Sequence, residues 1–73
     1  MSTLPRISGR ECVKALLKAG FFIRRQQGSH IILRRSEQFA QLVIPDHKEF
    51  DRGTLRAIIR MAGIPVEKFI ELL

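Results

Sequence analysis

The sequence predicts a two-layer α+β domain, and three observations predict it. A helix-start signature precedes apolar residues at helical spacing, three β-prone segments follow with polar breaks between them, and a second helical run is closed by glycine. The expected order is helix, three-stranded antiparallel sheet, helix, with a short C-terminal helix.

Ser8-Gly9-Arg10-Glu11 has the form of a capping box, in which the Ser hydroxyl accepts from a backbone N–H three residues on and the Glu carboxylate reaches back. Cys12, Val13, Leu16, Leu17 and Ala19 then recur at helical spacing, and Gly20 can take the left-handed conformation that closes a helix. Helix 1 is therefore expected over residues 9–19. Phe21 to Gln26 suits a strand, Gln27-Gly28 a tight turn, and Ser29 to Arg35 the returning strand with Ile31, Ile32 and Leu33. After the polar break Ser36-Glu37-Gln38, Phe39 to Ile44 gives a third strand, ended by Pro45, which has no N–H for a ladder. Residues 45–53 read as a polar loop. Leu55, Ile58, Ile59 and Ala62 mark a second helix closed by Gly63. Pro65 suits the first turn of the last helix, whose Val66, Phe69, Ile70 and Leu73 are expected to pack on the core with Glu67 and Glu71 in water. With both main helices on one sheet face, the other face is left open for work.

The 73 residues leave room for one core, so residues 1–73 are expected to form a single domain. A hydrophobic fraction of 45% with 27% charged residues is ordinary for a folded chain and far from the composition of disordered ones. The single cysteine, Cys12, can make no internal disulfide and no cysteine zinc site, which suggests a reducing compartment. The opening Met1-Ser2-Thr3-Leu4-Pro5-Arg6 lacks the pattern of an export signal and no run is long and apolar enough for a membrane span. A cytoplasmic location away from membranes is the expectation, with no metal and no cofactor.

Thirteen Lys and Arg against seven Asp and Glu give a net charge of +6. In the first half Arg6, Arg10, Lys14, Lys18, Arg24, Arg25, Arg34 and Arg35 face only Glu11. Such an imbalance on a small surface fits an anionic partner, although an excess of Lys and Arg also serves solubility alone. Arg52, Arg56 and Arg60 form a stripe on helix 2, and Arg10, Lys14 and Lys18 another on helix 1. Each is either a wet helix face or a grip on phosphates.

Phosphate loops with their Lys, His-Glu-x-x-His, Gly-x-Ser-x-Gly and Cys/His clusters are absent from the chain. What remains is Arg25-Gln26-Gln27-Gly28-Ser29-His30, a histidine just after a tight turn and beside Arg24, Arg25, Arg34 and Arg35. RNA carries its own nucleophile, the 2′-hydroxyl, so a side chain that moves one proton suffices to promote its cleavage. Imidazole, with an ordinary pKa of about 6.5, suits that task, and cationic side chains stabilise charge on phosphoryl oxygens. Gly28 would allow close approach of an RNA backbone, and Ser29 could bond a phosphate or orient the ring. By spacing alone, an ordinary half-exposed strand histidine is the commoner explanation of His30.

Taken in series, these motifs resemble the HicA-type messenger-RNA interferase toxins of bacterial toxin-antitoxin pairs. The similarity runs from Ile7 to Leu73: Ser8-Gly9 opening helix 1, Lys18-Ala19-Gly20-Phe21, Arg25-Gln26-Gln27-Gly28-Ser29-His30, Pro45-Asp46-His47, Gly53-Thr54-Leu55-Arg56, Ala62-Gly63-Ile64, and the closing Glu67 to Leu73. Phe50, where the family often has Leu, and Met61, in place of a common Gln, are departures outside the Gly-Ser-His motif. The resemblance implies a fold like the double-stranded-RNA-binding domain, whose element order the chain shares. It also implies endoribonuclease activity on mRNA, His30 as the catalytic residue, and neutralisation by a HicB-like antitoxin. Arg24, Arg25, Arg34, Arg56 and Arg60, with Gly28 and Ser29, are the candidate RNA-binding residues. His47 could supply a second proton-transfer group, but Asp46 and His47 also suit bracing of the loop to helix 2, and His47 stays outside the catalytic set. The rival readings are a non-catalytic RNA-binding module and a protein whose basic surface meets only an acidic partner.

Overall fold

The computed structural model describes residues 4–73. Met1-Ser2-Thr3, part of the opening read above for an export signal, lies outside the described residues. The elements run α1 (Gly9–Lys18), β1 (Phe22–Gln27), β2 (His30–Arg35), β3 (Ala40–Pro45), α2 (Arg52–Ala62) and α3 (Val66–Leu72). The strands form one antiparallel sheet in the order β1-β2-β3. This is the expected α+β arrangement, consistent with a double-stranded-RNA-binding-domain-like fold.

The capping box forms as the residue pattern requires. Ser8 Oγ accepts from the Glu11 N–H at 3.0 Å, and Glu11 Oε1 accepts from the Ser8 N–H at 2.9 Å. α1 buries Cys12, Val13, Ala15 and Leu16 and ends one residue earlier than expected, with Ala19 as its cap and Gly20 at φ 100°. α2 is capped at its start by Asp51, whose carboxylate accepts from the Thr54 N–H at 2.7 Å, and closes on Gly63 at φ 73°.

Bonds from the Ser8 backbone N–H, and then from its hydroxyl, hold the Glu11 carboxyl below its ordinary value of 4.5. A lowered folded value stabilises the folded state above the unfolded pKa, and that contribution is lost as pH falls through the folded one. Denaturant midpoints measured between about pH 2 and 6 are expected to fall less on acidification in Glu11→Gln than in the parent chain.

Alternation along the strands gives the sheet two unlike faces. Ile31 and Leu33 of β2 and Leu42 and Ile44 of β3 point into the core beneath the helices. There they join Cys12, Val13 and Leu16 of α1, Leu55, Ile58, Ile59 and Ala62 of α2, and Phe69 of α3. Phe69 is fully buried and anchors α3, while Val66 and Ile70 pack at the core margin. Leu73, expected in the same packing, is 44% exposed because α3 stops at Leu72. Leu4, Ile7 and Phe50 close the core from the segments before α1 and α2. Among the described residues no helix is long and apolar enough to cross a membrane.

Candidate active site

The hairpin between β1 and β2 fixes the position of His30. Gln27 pairs with His30, so the two-residue loop is Gly28-Ser29, one position later than the sequence suggested. Gly28 has φ 56° and Ser29 has no positive φ. A tight hairpin of this kind requires a left-handed first loop residue, and the glycine therefore selects the register. Nothing lies within 4 Å of where a Gly28 Cβ would sit, so the turn is open to a ligand backbone.

His30, exposed at the start of β2, faces away from the helices together with Ile32 and Arg34. Across the sheet the outward residues lie in three rows: Gln27, His30 and Pro45; Arg25, Ile32 and Val43; Phe22, Arg34 and Gln41. The register shifts between Ile23 and Arg25, seating Arg24 as the extra residue of a β-bulge. Without it Arg25 would oppose Ile31 on the helix side. The bulge instead brings Arg25 opposite Ile32, on the face that carries His30. Arg24 is exposed at the bulge itself.

Arg34 is held in place: its Nε and Nη2 donate to Gln41 Oε1 at 3.2 and 2.7 Å. Its guanidinium carbon lies 5.5 Å from the centroid of the Phe39 ring. Arg35, read from the sequence as a neighbour of His30, belongs to the other face. It stacks 4.7 Å from the Phe21 ring centroid and donates to the Gln38 carbonyl. Strand alternation separates it from the site. Arg56 and Arg60 are exposed on α2, in the helix layer, and do not join the outward sheet face.

The end of the sheet that carries His30 is braced from three directions. The Asp46 N–H donates to the Ser29 carbonyl at 2.6 Å, and the Gly9 N–H donates to the His47 carbonyl at 2.8 Å. Arg10 reaches both carboxylate oxygens of Asp46 at 3.2 and 3.0 Å. Gln26 Nε2 donates to the Gly28 carbonyl at 3.1 Å. A Cβ on Gly9 would collide with the Pro45 carbonyl oxygen, so the start of α1 and the end of β3 meet backbone to backbone. Asp46 and the His47 main chain thus brace the loop, while Ser8, Arg10, Asp46, His47 and Lys48 line a shallow pocket of about 170 Å³ beside the turn.

Sequence reasoning read Asp46 as a brace of the loop but missed Gly9 and Arg10 as its partners in supporting the site. Arg10 and Asp46 are 36 positions apart, and no local spacing signals such a pair. The arrangement sets an imidazole and guanidinium groups on one open face, beside a turn that a polymer backbone can approach. Cys12 is no rival nucleophile, because burial pushes its thiol up to about 12.

A family model described as the HicA toxin of bacterial toxin-antitoxin matches residues 9–64, which include the hairpin, His30 and the bracing loop. The chain therefore belongs to the HicA toxin family, and its role is that of the toxin in a toxin-antitoxin pair. No curated protein matches it.

Proposed function

We propose that this toxin is an endoribonuclease that cleaves mRNA, with His30 as the proton-transfer residue. The observation that carries the reading is the exposed imidazole at the first position of β2, beside an unobstructed glycine turn and on the same face as Arg25 and Arg34.

In the reaction, the RNA 2′-hydroxyl oxygen forms a bond to the adjacent phosphorus and the bond to the 5′-oxygen breaks. One proton leaves the 2′-hydroxyl and one is gained by the 5′-oxygen. His30 exchanges one of these protons and water exchanges the other. Arg25 and Arg34, with Arg24 at the bulge, attract the phosphates and offset charge on the phosphoryl oxygens. The Gly28-Ser29 turn lets the RNA backbone approach the imidazole. Arg56 and Arg60, on the other layer, extend the attraction for RNA outside the cleavage site.

A HicB-like antitoxin would silence the activity by covering His30 and the cations around it, within the cytoplasm. A non-catalytic RNA-binding module would share the basic surface, but it would not shorten RNA. Purified protein incubated with an mRNA transcript in excess chelator is expected to give discrete fragments, resolved on a denaturing gel. An intact transcript under these conditions would contradict the reading.

A further inference from the structure

We propose that the outward face of the sheet is a stacking platform for unpaired bases, so that the toxin takes its RNA as a single strand. This rests on the ribonuclease reading and extends it to the form of the substrate.

Phe39 is 67% exposed and Phe22 44% exposed, an unusual condition for two phenylalanines in a chain with only five. Neither is stranded at random. Phe22 is the register partner of Arg34, and the Phe39 ring lies under the Arg34 guanidinium. Gln41 fixes that guanidinium with two hydrogen bonds, leaving a cation and two aromatic groups at one end of the face. Val43, also exposed, links them to the His30 row.

Arg34 stands four residues along β2 from His30, a separation of about 13 Å on one face of a strand. One short oligonucleotide can span both, with Arg25 between them for a phosphate. The chemistry favours RNA over a protein as occupant. The outward strand positions in the three rows carry Arg25, Arg34 and His30 and no carboxylate, which complements a phosphate backbone. Ile32, the apolar residue at their centre, is already buried by its neighbours, so the exposed Phe22, Phe39 and Val43 stand beside cations rather than around an exposed apolar centre. It favours a single strand over a duplex, because paired bases keep their flat faces within the helix, whereas unpaired ones can stack on aromatic rings and guanidinium planes.

The test uses the His30→Ala protein, so that RNA persists, and measures binding of a labelled single-stranded oligonucleotide and of a duplex of the same sequence by fluorescence anisotropy. Stacking of one base is worth enough that Phe39→Ala and Phe39→Leu should each weaken single-strand binding by about 5- to 150-fold. Phe22→Ala should weaken it in the same direction. Phe39→Tyr, which keeps the ring, should stay within about twofold, and duplex affinity should change little in every variant. Phe39→Leu retains apolar bulk, so single-strand binding equal to that of the His30→Ala parent would overturn the proposal. So would a parent that binds no single strand, or variants that lose only antitoxin binding, which would assign the face to the protein partner. Failure of the chain with His30 intact to cut RNA would remove the ribonuclease reading separately, since the binding comparison does not depend on cleavage.

Discussion

Replacing His30 with Ala is expected to lower the rate of RNA cleavage by about 10² to 10⁴, the usual effect of removing a positioned general acid or base. The fold should survive. His30 is exposed, and its pairing with Gln27 and Pro45 runs through the backbone, which alanine retains. Surface changes of this kind usually shift stability by no more than about 0.5 kcal/mol. Attraction for RNA should survive as well, because it resides in the arginines, so activity and affinity are expected to separate. Cleavage rate, RNA affinity and the urea midpoint of the same purified variant measure all three. Cleavage at the parent rate would remove His30 from the reaction, and an unfolded variant would mean that it serves the fold.

The second large effect is expected at Gly9, far from His30 in sequence but joined to it through main-chain contacts. An alanine methyl there would occupy the space of the Pro45 carbonyl oxygen. Relief requires α1 to move off β3 and strains the Gly9 N–H bond to the His47 carbonyl. Overpacking together with a weakened main-chain hydrogen bond is worth about 2 to 4 kcal/mol. Because Pro45 pairs with His30, the displaced backbone also carries the site with it, and cleavage should fall even where the protein remains folded. Gly53→Ala is the control. That glycine is in the first turn of α2 with nothing near its missing Cβ, so alanine should be neutral or stabilise by up to about 1 kcal/mol. Urea midpoints of the two variants, compared with that of the parent, distinguish a specific backbone contact at Gly9 from a general cost of replacing glycine.

Much of this architecture is legible in the sequence because its signals are local. The Ser8 to Glu11 box, the left-handed closures at Gly20 and Gly63, and the paired apolar runs each specify their element within a few residues. The errors arise where geometry depends on partners. The hairpin loop moves by one residue because a positive φ belongs at its first position, which only Gly28 adopts easily. Arg24-Arg25 and Arg34-Arg35 look alike in the sequence, yet they are treated differently. The bulge turns Arg25 onto the His30 face, whereas uninterrupted alternation sends Arg35 to the core side over Phe21. The departures from the family pattern follow the same logic. Phe50 is buried in the core and Met61 is 64% exposed on α2, both outside the Gly28-Ser29-His30 segment. Nothing local could announce that Arg10 and Asp46 meet, since the contact exists only once α1 has docked against the end of β3.

If His30 promotes attack by the RNA's own 2′-hydroxyl, removing that hydroxyl must stop the reaction. The measurement compares an oligoribonucleotide with its counterpart bearing a single 2′-deoxy residue at the cleaved position, both in excess chelator. The first should be cut to leave a 5′-hydroxyl end, and the second should stay intact at that bond. Cleavage of the deoxy bond, or a reaction that stops when divalent metal is removed, would contradict it.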